Sequence, residues 1–525
     1  MKGAAFSMEI GRPFLSHRGI SVAFSGASGV LLALSLSLPM AHWLAYIALA
    51  PLLIVLLDNP LSLPRSFLLG WLTGLISYGV LFSYVIQALS LPVFVLSLLY
   101  YSAYTGLFAV GIRFCSRPNI GLGSLMVPFL WAFLEYLRAQ GTFGVPAGTL
   151  GASQAALLSV VQIVSLTGVF GLSGLVALVN ITLVQFAMAA RVHRYRSALN
   201  WGLVTVMIWM SILAYGYRSL SQAPSGARTL TIAAIQGDID ERGLDSVTVR
   251  QRIFERYETK TLEAKVLKPD LIVYPETMTG SYLVRDSLFL AFLNEMGSQT
   301  ESSFLVGSRH LIREPAAYGL YNSAFAIDGK GRLIGRYDKR RPVPFGEYTP
   351  FGTRLPWLAQ FRVSRAELTP GRALTPLMLP DSLPVGVAIC YEAMYGEDIR
   401  RQTLSGARLI AILSDDFWFQ GTNASRQFFD EAILRAVENR TPVIRCANMG
   451  VSGVIDAWGR VVSMGGPVSG VTSGRVALRE GVSVYTRYGD GTIWLCGLAI
   501  VICVGTACRR SKSGRSSGAS MGNSA

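Results

Sequence analysis

The sequence has few charged residues, few cysteines and very few histidines. Charged side chains make up only 15% of its 525 residues, whereas 51% are hydrophobic and the mean hydropathy is +0.41. This composition is too apolar for a single soluble domain of ordinary usage. The four histidines and six cysteines form neither a Cys-x-x-Cys motif nor a Cys/His cluster. We therefore expect no disulfide framework, no bound metal and no cofactor.

Long apolar runs fill the N-terminal part of the chain and recur near its end. A helix that spans a bilayer needs about 20 apolar residues. Eight runs approach that length, and they lie at residues 20–38, 41–57, 66–89, 91–112, 123–139, 161–187, 198–216 and 492–508. The sequence therefore predicts an integral membrane α-helical bundle of about eight spans, with an ordinary globular segment inserted between the seventh and the eighth.

Lysine and arginine alternate between the loops that would connect these spans. The segments before the first span, after the second, fourth and sixth, and after the eighth are basic, whereas the loops near 39–40, 90 and 140–155 contain no Lys or Arg. Cytoplasmic loops are the basic ones. The pattern predicts cytoplasmic termini and an extracytoplasmic globular segment. Much of the net charge of +15 then sets orientation in the membrane, which argues against nucleic-acid binding.

These boundaries divide the chain into four parts. The predicted parts are a membrane domain at 1–217, an extracytoplasmic domain at 218–491, an eighth span at 492–508 and a basic, Gly/Ser-rich cytoplasmic tail at 509–525. In the second part, β-rich runs alternate with helical stretches. That alternation is typical of an α/β or α+β domain with strands buried on both faces.

Three strand-like runs of the globular segment end in reactive side chains. They end in Pro-Glu276, in Asp-Lys339 and in Cys390. An acid, a cation and a thiol are the parts that covalent acyl chemistry needs. Taken singly, each signal is weak: the glutamate could cap a helix, the lysine could belong to a solvated basic face, and the cysteine could be a small core residue.

Together these motifs resemble the nitrilase (carbon-nitrogen hydrolase) superfamily. The most specific local match is Val-Pro-Phe-Gly-Glu-Tyr-Thr-Pro at 343–350, just after the lysine. The layout of seven spans before the domain and one after it is similar to that of the polytopic branch, the apolipoprotein N-acyltransferases. The resemblance implies an inserted αββα sandwich and a triad of Glu276 as general base, Lys339 as oxyanion stabiliser and Cys390 as nucleophile.

The resemblance also implies an activity and its setting. A fatty acyl chain would pass from a phospholipid, through a Cys390 thioester, to the α-amine of the N-terminal diacylglyceryl-cysteine of an apolipoprotein. The partners implied are a phospholipid donor, a diacylated apolipoprotein acceptor and the lipid bilayer, and not nucleic acid. The implied location is the bacterial inner membrane, with the catalytic domain in the periplasm and both termini in the cytoplasm.

Three further residues receive supporting roles from the family pattern. Glu347 would hold the lysine or the general base in position. The backbone N–H of Tyr391 would join Lys339 in stabilising the oxyanion, and Glu392 would orient the turn at Cys390.

The chain departs from the family pattern at several positions around the expected site. Asp238 and Asp415 stand where the family usually has Asn, and the segment 240–246 lacks an expected Trp. The Phe-Pro-Trp motif is replaced by Phe-Gly-Val-Pro at 143–146. We expect the family-like Trp-x-x-x-Glu-x-x-Arg at 131–138 to have a structural role. The departures leave the triad intact and affect the lining of the site.

Two other functions remain open at this stage. A membrane-tethered amidase or hydrolase would share the triad and differ only in using water as the acceptor. The second of these hypotheses is a transporter or receptor with a vestigial enzyme domain. The intact triad and the scarcity of charges within the spans argue against it.

Overall fold

The computed structural model describes residues 18–117, 120–193, 195–222, 228–240, 246–313, 318–466 and 468–519. The N-terminal part forms a bundle of helices. A 3₁₀ helix, Pro39–Tyr46, runs into the second α-helix. The α-helices are α1 (Arg18–Ser37), α2 (Ala50–Asp58), α3 (Leu63–Leu81), α4 (Tyr84–Ala88), α5 (Leu91–Ser116), α6 (Ile120–Arg138), α7 (Leu158–Val161), α8 (Val164–Val192) and α9 (Arg196–Ser221).

Every predicted span coincides with a helix, although several limits differ. Among the described residues, six helical segments are long and apolar enough to cross a membrane: Arg18–Ser37, Pro39–Asp58, Leu91–Ser116, Ile120–Arg138, Val164–Arg191 and Arg196–Ser221. The protein is thus a multi-pass membrane protein, and its span count of about eight is approximate. The predicted third span, 66–89, is wrong in its limits. The helix stops at Leu81, and Tyr84 packs against Phe419 and Phe428 of the globular part.

The globular part consists of two six-stranded sheets flanked by helices. The first sheet has the strand order β12-β1-β2-β3-β4-β5 and the second β11-β10-β9-β8-β7-β6. The strands are β1 (Thr229–Gln236), β2 (Leu271–Val273), β3 (Ser303–Arg313), β4 (Tyr318–Ile327), β5 (Leu333–Asp338), β6 (Leu377–Leu379), β7 (Leu383–Ile389), β8 (Leu409–Asp415), β9 (Val443–Asn448), β10 (Ser452–Ile455), β11 (Val461–Gly465) and β12 (Gly470–Ala477). The helices are α10 (Ser246–Lys265), α11 (Ser287–Thr300), α12 (Gly396–Leu404), α13 (Ala424–Asn439) and α14 (Val484–Tyr488).

The predicted αββα sandwich is confirmed by the way in which these elements bury their apolar residues. One core cluster lies between the two sheets and includes Leu305 of the first and Val387 of the second. A second cluster packs α10 and α11 on the outer face of the first sheet, and a third packs α12 and α13 on the second. Strands β2 and β8 are buried on both faces, as continuous apolar runs predict.

The last helix, α15 (Gly491–Ala519), returns the chain to the bundle. Its apolar portion, Gly491–Thr506, is shorter than the six long spans. It packs against α6, with Ile493 and Cys503 in the core of the bundle. The helix continues past the predicted limit of residue 508, and residues 520–525 of the predicted tail lie outside the described part.

The globular part sits on one end of the bundle and contacts a break in α8. Gly168 adopts φ 69° and interrupts the helix, so the N–H of Val169 can donate to Glu438 Oε1 at 3.0 Å. Arg435 Nε lies 3.0 Å from Glu438 Oε2, and the two side chains form a buried ion pair. Arg440 instead donates to the side chains of the bundle, one of which is Ser165 Oγ at 2.9 Å. A buried polar cluster therefore fixes the two parts to each other.

The basic loops gather at the opposite end of the bundle. Arg191, at the end of α8, lies 3.1 Å from Asp58 at the end of α2. Arg113, near the end of α5, donates to the loop between α2 and α3. The other end of the bundle meets the globular part, where Asn423 Nδ2 donates to Ser37 O at 3.1 Å. The bundle thus separates its arginine-bearing loops from the globular part.

Candidate active site

The three predicted reactive side chains follow strands of both sheets and meet at one edge of the sandwich. Glu276 follows β2, Lys339 follows β5, and Cys390 follows β7. Strands β7 and β8 are parallel, with Ile389 opposite Leu413, so the residues after both strands lie at the same edge. Loops that follow parallel strands commonly carry reactive groups on a rigid scaffold.

Glu276 is buried and holds hydrogen bonds on both carboxylate oxygens. Its Oε1 accepts from Lys339 Nζ at 3.1 Å and from Asn322 Nδ2 at 2.6 Å. Its Oε2 accepts from the backbone N–H of Asp415 at 3.0 Å. The carboxylate is therefore held from the first sheet and from β8 of the second. Sequence reasoning missed Asn322, which lies within β4 and belongs to no family motif.

Lys339 is almost fully buried between two carboxylates. Only 1% of its side chain is exposed, and Nζ donates to Glu347 Oε1 at 2.8 Å as well as to Glu276. Burial alone would lower the pKa of this ammonium, but the charges of Glu276 and Glu347 outweigh it and hold the pKa well above its usual range. The lysine therefore stays positively charged, which suits a group that stabilises a developing oxyanion.

Cys390 occupies a strained turn at the end of β7. Its φ of 57° lies in the left-handed region, which non-glycine residues rarely adopt. The residue is half-buried. Burial, followed by the negative charge of Glu276, raises the pKa of its thiol well above the ordinary value, although Lys339 acts in the opposite direction. The thiol is therefore protonated at neutral pH and needs a base to become a nucleophile.

Glu392 joins the Cys390 turn to the loop after Lys339. Its Oε2 accepts from the N–H of Ile389 at 2.8 Å, and its Oε1 accepts from the N–H of Arg340 at 2.7 Å. Burial raises the pKa of this carboxyl to about 7. These contacts link Glu392 both to the last residue before Cys390 and to the loop after Lys339.

Tyr391, which follows Cys390, covers Lys339. Its ring centroid lies 5.8 Å from Lys339 Nζ, and its hydroxyl donates to Pro342 O at 3.0 Å. Both contacts tie the Cys390 turn to the lysine loop, in parallel with Glu392.

Two of the departures from the family pattern lie around the same edge. Asp415 is half-buried, and Asn448 Nδ2 donates to its Oδ1 at 3.3 Å. Burial and the charge of Glu276 raise the pKa of Asp415 to about 8, so it carries a proton at neutral pH and resembles the amide it replaces. Asp238 adopts φ 52° after β1, with Arg256 Nη1 3.8 Å from its Oδ2.

The second cysteine of the globular part, Cys446, lies inside the sandwich. It is fully buried, and its sulfur donates to Val273 O at 3.2 Å and to Ile235 O at 3.4 Å. Burial raises the pKa of this thiol. The surroundings of Cys446 are those of a core residue. Among the described residues, no group of three His, Cys, Asp or Glu side chains could hold a metal ion.

Aromatic side chains of the bundle and of the globular part form a wall beside Cys390. Tyr84 of α4 lies near Cys390. The Tyr84 ring lies 5.3 Å from Phe419 and 6.1 Å from Phe428. Tyr391 packs against the same apolar cluster. The wall offers an acyl chain an apolar surface next to the thiol.

Comparisons with known proteins cover nearly the whole chain. The family model described as "Apolipoprotein N-acyltransferase N-terminal domain" matches residues 28–182, and the model described as "Carbon-nitrogen hydrolase" matches residues 231–483. A protein of Geobacter metallireducens is 33% identical over 499 residues, covering 92% of this chain and 94% of its own. Relatives from Rhizobium rhizogenes and Gloeobacter violaceus are each 28% identical, covering 92% and 95% of this chain and 95% and 96% of their own. All three carry the name apolipoprotein N-acyltransferase.

Proposed function

We propose that this chain, which belongs to the apolipoprotein N-acyltransferase family and is an N-acyltransferase, acts through a Cys390 thioester. In this proposal the donor is a phospholipid, and the acceptor is the α-amine of the diacylglyceryl-cysteine at an apolipoprotein N-terminus. Glu276, Lys339 and Cys390 form the catalytic triad. The convergence of these three side chains at one edge of the sandwich carries the proposal.

The first half-reaction transfers the acyl chain to the enzyme. Glu276 takes the proton from the Cys390 thiol, and the sulfur attacks the ester carbonyl of the phospholipid. Lys339, with the N–H of Tyr391, stabilises the oxyanion of the tetrahedral intermediate, and one such donor is worth about 3 kcal/mol. The ester C–O bond then breaks, and Glu276 passes its proton to the oxygen of the departing lysophospholipid.

The second half-reaction transfers the acyl chain to the amine. The neutral amine attacks the thioester carbonyl, and Glu276 takes a proton from the attacking nitrogen. The C–S bond breaks, the amide is released, and Glu276 returns the proton to the Cys390 sulfur. Glu347 and Glu392 take no part in bond formation in this scheme, but they hold the ammonium and the nucleophile turn in place.

We further propose the inner membrane as the location, with the catalytic part at 218–491 in the periplasm and both termini in the cytoplasm. The arginine-bearing loops at the bundle end away from the catalytic part support this orientation. Diacylated acceptors and phospholipids of the outer leaflet would then reach the site without leaving the membrane.

The purified protein in phospholipid vesicles tests the proposed reaction. A diacylated lipopeptide is added, and both lysophospholipid and N-acylated lipopeptide are measured by mass spectrometry. N-acylated lipopeptide should appear only with the lipopeptide, and lysophospholipid should then accumulate in equal amount over many turnovers. Without the lipopeptide, an acyl adduct should form on Cys390 and release no more than one equivalent of lysophospholipid. A matched lipopeptide with an acetylated α-amine serves as the control acceptor.

Two outcomes would contradict the proposal. Free fatty acid released at the same rate with either lipopeptide would indicate a hydrolase. An acyl adduct on Cys446 in place of Cys390 would show that Cys390 is not the nucleophile.

A further inference from the structure

A short loop of the membrane bundle touches both loops that carry the reactive side chains. This membrane loop, residues 139–151, follows α6 and contains the Phe-Gly-Val-Pro segment at 143–146. The hydroxyl of Tyr395 donates to Gly144 O at 2.7 Å. The ring of Phe143 stacks on that of Phe345, with centroids 6.4 Å apart and planes 8° from parallel.

Two buried charged side chains of α6 fix the membrane loop from within the bundle. Arg138 Nη1 donates to Ala147 O at 2.9 Å, and Glu135 Oε1 accepts from the N–H of Leu150 at 2.8 Å. Charged groups at such depth are costly unless they are satisfied, so these bonds hold the loop in one arrangement. Only glycine fits at Gly144, because a Cβ there would lie 2.4 Å from a backbone oxygen of the preceding turn.

Tyr395 connects the membrane loop to the nucleophile turn. Its ring stands edge-on to that of Tyr391, with centroids 5.4 Å apart. The Tyr395 ring also contacts the Arg341 guanidinium, which lies 4.1 Å from the ring centroid. Cys390 keeps its left-handed φ only if its surroundings impose it. The hydroxyl bond to Gly144 therefore attaches the strained turn to a fixed point in the membrane bundle.

Phe143 makes the corresponding connection to the lysine. Phe345 adopts φ 60° and lies in the turn that carries Glu347. The carboxylate of Glu347 accepts from Lys339 Nζ at 2.8 Å. A shift of the Phe345 turn would thus displace the carboxylate that locates the ammonium.

We propose that the membrane loop is a positioning element of the active site, with Tyr395 and Phe143 as the positioning residues that set Cys390 and Lys339 in reactive register. The inference rests on the proposed function and deepens it. The bundle then does more than anchor the enzyme. The triad reaches its reactive geometry only when the catalytic part is seated on the membrane loop.

The reactivity of the Cys390 thiol toward iodoacetamide tests this inference without any lipid substrate. The variant Tyr395→Phe removes one hydroxyl and keeps the ring. In the full-length protein in detergent micelles, alkylation of Cys390 at neutral pH should be slower by about fivefold, the effect typical of one lost neutral hydrogen bond. The deficit should shrink as the pH rises, because solvent then ionises the thiol without Glu276.

If the Tyr395 hydroxyl only stabilised the fold, its removal would change the alkylation rate in the opposite direction. The turn at Cys390 would loosen, the half-buried thiol would become more exposed, and its alkylation would be faster. Tyr46→Phe is the matched control, because it removes a hydroxyl that donates to Gln154 Oε1 at 2.8 Å elsewhere in the bundle. This control should alkylate like the wild type. Phe143→Ala should be slow, and Phe143→Tyr should restore the rate.

Wild-type or faster alkylation of Cys390 in Tyr395→Phe would overturn the inference. So would equal slowing in Tyr46→Phe. The proposed function has a separate readout in the same samples, which is the acyl adduct formed with phospholipid. If the wild type never forms that adduct, the proposed function fails, while the alkylation rates still decide whether the membrane loop positions the thiol.

Discussion

Replacing Lys339 with methionine removes the charge between two buried carboxylates while keeping a side chain of similar length. Lysine Nζ lies 3.1 Å from Glu276 Oε1 and 2.8 Å from Glu347 Oε1, and only 1% of the side chain is exposed. Methionine fills irregular space well but offers neither charge nor donor. The variant therefore leaves two carboxylates close together and without their cation.

The structure sets the size of two separate effects. Removing one partner of a buried ion pair costs about 3–5 kcal/mol in the free energy of unfolding. Since 1 kcal/mol shifts the melting temperature of a domain of this size by about 2–4 °C, a fall on the order of 10 °C is expected. Lys339 is also the proposed oxyanion donor, and the loss of one donor slows acylation by about 10²–10³-fold.

A double variant separates these effects. Glu347→Gln, added to Lys339→Met, neutralises one of the two stranded carboxylates. It should recover part of the lost melting temperature and none of the acylation rate. Thermal unfolding in micelles gives the first quantity, and intact-mass measurement of the Cys390 adduct gives the second. If acylation returned together with stability, the lysine would be a structural residue only, and its place in the mechanism would be refuted.

Three further predictions address the base, the orientation and a titrating neighbour. Glu276→Gln should prevent acylation of Cys390 while the protein remains folded, and a near-normal rate of adduct formation would exclude Glu276 as the general base. In spheroplasts, an impermeant maleimide should label Ser298→Cys and should label Ser62→Cys, on the arginine-bearing side, only after permeabilisation; both positions are exposed, and the reverse pattern would invert the topology. The raised pKa of Asp415, about 8, means that the folded protein retains a proton which the unfolded chain loses near pH 4, so stability falls between these pH values. The melting temperature of Asp415→Asn should therefore exceed that of the wild type by more at pH 8 than at pH 5, and parallel curves would contradict the shift.

The strands that position the site were predictable because they are buried runs with clear ends. The strand-like runs that end near Glu276 and Cys390 form β2 and β7, since both are continuous apolar runs. Strands β11 and β12 could not be predicted in this way. β11 has mostly exposed residues, so its sequence carries no burial pattern. β12 pairs with β1, although almost the whole sequence of the globular part lies between the two strands. Such a distant pairing leaves no signal in the local sequence.

The residues of the candidate site were predictable where they lie in local motifs and not where their contacts are distant in the sequence. The family motifs supplied Glu276, Lys339 and Cys390, because each lies in a short and recognisable run. Asn322 was missed because its contact with Glu276 depends on the register of β4 beside β5, where Ser323 faces Asp338. The proposed role of Tyr395 has no local signal, because its partner Gly144 lies 251 positions earlier in the chain.

The burial of the triad determines the side from which a lipid can approach. Glu276 and Lys339 are closed off at 7% and 1% exposure, whereas Cys390 is half-buried beside the aromatic wall of Tyr84 and Phe419. In the proposed mechanism, an acyl carbonyl would reach the sulfur along this wall, at the end of the membrane bundle. Extracting a chain into water costs about 0.8 kcal/mol for each CH₂. An approach along the wall would avoid that cost, so in our proposal the seating of the catalytic part on the bundle serves both access to the lipid and alignment of the thiol.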